Sequence, residues 1–130
     1  MHNGMALMLM THQLQRLIDS KDFQNMARNA KRWTGSCFIV QAKPALSPDA
    51  PLRFGLTASR KVGNAVVRNR CKRRLREVVR ALVRDSADAG VPVGGYDVVI
   101  IARTCCATAY FKLLQDDLAR AWRHLGVLPR

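Results

Sequence analysis

Acidic residues are scarce in this chain. Nine Asp and Glu stand against 22 Lys and Arg, a net charge of +13. The acids are also scattered, at Asp19, Asp22, Asp49, Glu77, Asp85, Asp88, Asp97, Asp116 and Asp117. A metal-dependent nuclease centre needs clustered carboxylates, so the pattern offers none, and the Asp116-Asp117 pair reads as a solvated helix face. Histidine is nearly absent: His2, His12 and His124 show no ligand spacing and no acid–base partner. The four cysteines (Cys37, Cys71, Cys105, Cys106) form no C-x-x-C pair, and the adjacent Cys105 and Cys106 are badly placed to chelate one metal together. They read as free buried thiols in a reducing cytosol. Gly63 stands alone, so there is no Gly-rich phosphate loop. No apolar run approaches the roughly 20 residues of a membrane-spanning helix. The opening MHNGMALMLM lacks the basic segment and small-residue cleavage site of a signal peptide. Residues 1–14 are therefore expected as a flexible extension before one domain over 15–130.

What is present is enough for a packed domain. Apolar residues make up 48% of 130, which argues against disorder. Ser20 can cap a first helix, with Asp22 in its first turn and Phe23, Met26, Ala27 and Ala30 at helical spacing, ending at Lys31-Arg32. Cys37–Lys43 and Arg53–Ser59 read as strands, separated by the loop PALSPDAP. Gly63-Asn64 makes a turn with Asn64 as N-cap. From Ala65 to about Arg84, Val67, Cys71, Leu75, Val78 and Leu82 fall on one stripe, widened by Val79 and Val83. This helix is roughly 30 Å long. Tyr96–Arg103 is almost continuously apolar, as in a strand buried on both faces. Thr108 can cap a last helix whose apolar positions Phe111, Leu114, Leu118, Trp122 and Leu125 are spaced three or four apart. Helices laid against one sheet give an α/β sandwich.

The long helix carries the most information. Between Arg60 and Arg84 stand ten Arg and Lys around a single acid, Glu77. Arg68, Lys72, Arg76, Arg80 and Arg84 form one i, i+4 row, with Arg70, Arg73 and Arg74 beside it. Each like-charge pair costs about 0.2–0.5 kcal/mol, so the row costs roughly 1–2 kcal/mol in the isolated chain. Cations also crowd the helix's N-terminal half, where the macrodipole is already positive. Arg60, Lys61 and the free amides of the first turn together suit a phosphate. The bland alternative is a solvated basic face, but the shortage of acids weighs against it. A membrane-surface helix fits worse, because the apolar stripe lacks Trp and Phe. Except for Asn69, the helix lacks the Asn and Gln of a base-reading helix. Backbone and shape recognition of a folded RNA fits better.

The block RFGLTASRKVGNAVVRNRCKRRLRE resembles the signature of the bacterial ribonuclease P protein subunit, most specifically at Gly63-Asn64-Ala65-Val66 and Arg68-Asn69-Arg70. Asp22-Phe23-Gln24, Phe38-Ile39-Val40 and Tyr96–Arg103 are similar to that family's first helix, next strand and last strand. The likeness runs from about Leu17 to Leu128. It implies a two-layer α/β sandwich of order αβββαβα, a four-stranded sheet and a left-handed βαβ crossover around the basic helix. It also implies a subunit that binds a catalytic RNA and the 5′ leader of precursor tRNA, and assists endonucleolytic removal of that leader in the cytoplasm. The RNA carries the chemistry with its magnesium ions; no catalytic residue, metal or cofactor is expected on the protein, and no DNA or membrane partner. Carried over residue by residue, Arg60, Lys61, Asn64, Arg68, Asn69, Arg70, Lys72, Arg73 and Arg76 would meet the catalytic RNA. Phe23, Phe38, Ser59 and Arg103 would line a leader cleft between the first helix and the sheet. Core packing competes for Phe23, and more strongly for Phe38, which strand alternation could turn inward. Ala27 and Gln41 stand where relatives often have aromatics, and Ser59 where some have a cation. The competing functions are a ribosome-associated or general RNA-binding protein and a stand-alone nuclease.

Overall fold

The computed structural model describes residues 15–16, 26 and 28–129; for 15–16 only the backbone path is described. The strands are β1 (Gln15–Arg16), β2 (Lys31–Thr34), β3 (Phe38–Pro44), β4 (Arg53–Thr57) and β5 (Tyr96–Ala102). Two long helices follow β4 and β5: α1 (Ala65–Asp88) and α2 (Phe111–Leu125). The sheet order is β1-β4-β5-β3-β2. The two-residue β1 extends the four expected strands at one edge. β3 runs antiparallel to β2 and β5, whereas β4 and β5 are parallel. Parallel neighbours require a crossover, and α1 supplies it.

Strand alternation sorts the side chains by face. Phe38, Val40 and Ala42 of β3 pair in register with Ala102, Ile100 and Val98 of β5. These residues and Phe54 are buried together with Cys71, Leu75, Val78 and Val79 of α1 and Leu114, Leu118 and Trp122 of α2. The stripe expected on α1 is thus the stripe that packs, and Val67 and Leu82 lie partly buried against the same core. The opposite face carries Val99 and Ile101, against which Met26 and Ala30 pack. Met26, Arg28 and Asn29 are helical. Lys31 and Arg32 do not end that helix; they begin β2, where pairing with Ala42 and Gln41 satisfies their backbone. Ser20, Asp22, Phe23 and Ala27 lie outside the described residues, as do residues 1–14.

Tyr110, not Thr108, stands at the N-cap position of the last helix; Thr108 closes a 3-10 turn over Thr104–Ala107. Asp117 is buried rather than solvated, with Arg120 3.7 Å away.

Asp97 and Arg53 are register partners on the parallel strands. Arg53 Nε and Nη2 donate to the two carboxylate oxygens at 2.9 and 2.7 Å. The Asp97 side chain is only 6% exposed, that of Arg53 36%. A bidentate pair of this kind orients as well as attracts, and it locks the β4–β5 register from which α1 departs. Removing Asp97 takes both of these charge-assisted hydrogen bonds from a half-buried cation. Asp97→Ala is therefore expected to destabilise the chain by about 2 kcal/mol, measured by urea denaturation; an unchanged midpoint would show that the pair is only surface decoration.

Candidate nucleic-acid interface

The path into α1 is built by the five residues from Arg60 to Asn64. Arg60–Val62 form a single 3-10 turn whose Val62 side chain is buried. Gly63 follows with φ +153°, and a Cβ there would come within 2.9 Å of Val67. Only glycine lets the chain turn so close to the helix it is about to start. Asn64 Oδ1 then accepts a hydrogen bond from the Val67 backbone N–H at 3.0 Å, the expected N-cap.

The burial of the apolar stripe decides where the cations point. Arg68, Lys72 and Arg76 flank the stripe and are half-buried; Asn69, Arg70 and Arg73 stand exposed. Arg60 and Lys61 are exposed at the helix entrance. Where the acids fall then divides the helix in two. Glu77 meets Arg80 at 3.2 Å, and Asp85 meets Arg84 at 3.7 Å. Among the described residues, Arg60, Lys61, Arg68, Arg70, Lys72 and Arg73 have no acid partner. The Nε of Arg68 is buried and makes no hydrogen bond among the described residues. Arg74 is different again: its guanidinium donates to the carbonyls of Cys106, at 2.7 Å, and Ala109. It is a strut between α1 and α2, a role that charge counting alone does not separate from its neighbours.

The C-terminal ends of the parallel strands open onto a pocket of about 460 Å³, lined by Ser36, Ser59, Lys61, Arg103 and Thr104 among others. Ligands of parallel sheets gather at such strand ends. Ser59 and Arg103, expected at the leader, are here brought together with Lys61, expected at the catalytic RNA. Arg103 Nη1 donates to the Gly35 carbonyl at 3.0 Å, which fixes the guanidinium near the rim. Among the described residues no group of three His, Cys, Asp or Glu stands close enough to share a metal ion, and no helix is long and apolar enough to cross a membrane.

A family model described as Ribonuclease P matches residues 11–126. The chain belongs to the ribonuclease P protein family. It is 38% identical to the ribonuclease P protein component of Paramagnetospirillum magneticum over 124 residues, covering 93% of this chain and 90% of that one. Identity to the corresponding protein of Ruegeria pomeroyi is 43% over 105 residues, 80% of each chain. Among solved structures, the RNase P protein from Thermotoga maritima superposes with a TM-score of 0.64 at 26% identity, over 82% of this chain and 93% of that one.

Within this ribonuclease P protein fold, one expected leader residue lies elsewhere. Phe38 is 1% exposed and faces the helices, its ring 6.1 Å from that of Trp33. Alternation gives the reason: Phe38 shares its parity with Val40 and Ala42, so it belongs to the core. Gln41 and Lys43, of opposite parity, lie half-buried on the face that carries Val99 and Ile101.

The cysteines also divide. Cys71 and Cys106 are free and buried, as expected, but Cys37 and Cys105 are joined in a disulfide. The antiparallel register is responsible. Arg103 N–H donates to the Cys37 carbonyl at 2.9 Å, and two residues on, inside the following 3-10 turn, Cys105 reaches back to Cys37. Nothing in the local spacing announces this pairing; it follows from strands far apart in sequence. Burial pushes the Cys71 thiol up, and the Cys106 thiol up to about 12. Both folded values lie above the unfolded one, so their contribution to stability is complete at neutral pH. The Cys106 contribution is lost as pH rises from about 9 towards 12, and that of Cys71 as pH rises above about 9. At pH 8 iodoacetamide should therefore label no cysteine in the folded chain. Reductant should release Cys37 and Cys105, cost about 2–4 kcal/mol of stability and leave Cys71 and Cys106 protected until unfolding. Four thiols reacting without reductant would contradict both the link and the burial.

Proposed function

We propose that this chain binds the catalytic RNA of ribonuclease P through the N-terminal half of α1, and the 5′ leader of precursor tRNA through the cleft on the Met26 side of the sheet and the adjoining pocket. Arg60, Lys61, Asn64, Arg68, Asn69, Arg70, Lys72, Arg73 and Arg76 meet the RNA in this reading. Ser59, Arg103 and Phe23 serve the leader. The chain assists hydrolytic removal of the leader in the cytoplasm. The RNA subunit carries the catalysis and holds the magnesium ions. The relatives support a ribonuclease P protein component, and an RNA partner follows from that assignment.

One observation carries the reading: among the described residues, acids pair with cations at the C-terminal end of α1 and leave six cations in and just before its N-terminal half without an acid partner. Self-repulsion on a helix is relieved when phosphates lie against it, and release of their counterions then drives binding. Arg68 is the clearest case, because its buried Nε has no hydrogen-bond partner among the described residues and a phosphate oxygen could supply one.

Adding the purified chain to the ribonuclease P RNA should improve precursor tRNA cleavage at low magnesium. Cleavage unchanged by the chain would refute the assignment, and cleavage by the chain without RNA would favour a stand-alone nuclease. Arg68→Ala should weaken assembly with the RNA and lower the slope of log K against log salt by about one phosphate contact; a variant that assembles with an unaltered slope would remove Arg68 from the interface.

A further inference from the structure

The start of α2 breaks two local rules at once. Its N-cap position favours Ser, Thr, Asp or Asn, yet it holds Tyr110, which makes no side-chain capping bond. An aromatic ring is usually at least half covered, yet Tyr110 is 86% exposed. Phe111 and Leu113 beside it are 37% and 44% exposed. The ring therefore serves neither the helix nor the core. Residues that break local consistency with no structural gain are expected where function resides.

Position gives the direction of that function. Arg74 of α1 holds the carbonyls of Cys106 and Ala109, so Tyr110 follows directly after a residue fixed to the flank of α1. Arg70 lies one turn N-terminal to Arg74 on that flank, about 6 Å along the axis; Arg70 and the neighbouring Arg73 are exposed and have no acid partner among the described residues. The other charged groups close by are neutralised: Glu77 by Arg80, and Lys112 by Asp116 at 3.1 Å. The patch is thus apolar and aromatic, with net positive charge on the neighbouring flank of α1. A second copy of this +13 chain would bring like charges together. A polyanion with π-faces, an RNA strand with unpaired bases, complements both properties.

We propose that Tyr110, backed by Phe111 and flanked by Arg70 and Arg73, is a stacking platform for an unpaired base of the partner RNA, continuing the α1 interface onto the start of α2. The proposal rests on the RNA-binding reading above and adds a second kind of contact to it. The α1 cations bind phosphates and are salt-sensitive, whereas stacking is nearly indifferent to salt.

The test is binding of Tyr110→Ser and Tyr110→Phe to the ribonuclease P RNA across a salt series, with thermal melting alongside. Tyr110→Ser supplies a better N-cap, so its melting temperature should stay level or rise. Its affinity should fall about tenfold, about 1.4 kcal/mol, within the range of base stacking on an aromatic side chain, with the salt slope unchanged. Tyr110→Phe keeps the ring and should bind like the parent chain. Parent-like affinity in Tyr110→Ser would overturn the platform while the parent's own salt-dependent binding left the RNA reading standing. Failure of the parent chain to bind the RNA would instead remove the underlying reading. Self-association of the parent chain that Tyr110→Ser abolishes would reassign the patch to a protein contact and overturn the proposal.

Discussion

The packing of one apolar stripe governs the surface chemistry of the whole molecule. Cys71, Leu75, Val78 and Val79 are fully enclosed between the sheet and α2. With those four fixed, α1 has no rotational freedom, and each cation is assigned a direction by helical geometry alone. The hydrophobic gain from these side chains, about 1.5–3 kcal/mol for each large one, exceeds the roughly 1–2 kcal/mol of like-charge repulsion along the basic row. The fold can therefore hold a charge arrangement that an isolated helix would not tolerate. That surplus lets a 130-residue chain keep a strongly cationic face without losing its shape.

Other features secure the frame around that stripe. The Arg53–Asp97 pair fixes the parallel β4–β5 register at one end. The Cys37–Cys105 link ties β3 to the turn after β5 at the other. Arg74 joins α1 to the start of α2. The pocket that gathers Ser59, Lys61 and Arg103 sits at the end held by the disulfide. The site is thus positioned by contacts between segments distant in sequence, while its charge comes from a contiguous block.

That difference explains what could be read beforehand. The α1 stripe, the Asn64 cap, the Gly63 turn and strands β3, β4 and β5 all follow from periodicity and short-range chemistry, and all are found. The Ribonuclease P family likewise followed from a contiguous motif. The inward turn of Phe38 depended on a strand parity that one aromatic cannot fix; Trp33, its packing partner, lies on a strand mistaken for a helix end. The disulfide required the β3–β5 register. Arg74 is indistinguishable by type from Arg73, and only the position of α2 separates a strut from a surface cation. The exposure of Tyr110 was hidden because an aromatic at the start of an amphipathic helix ordinarily reads as core.

The central claim is that the N-terminal half of α1, and not another basic surface of this chain, lies against the partner RNA. Its most direct test is site-specific photocrosslinking to the ribonuclease P RNA from position 69 on the exposed face of α1, compared with position 46 in the loop between β3 and β4. The account predicts efficient crosslinks from position 69 that disappear at high salt, and few from position 46. Equal crosslinking from both, or a preference for position 46, would contradict it.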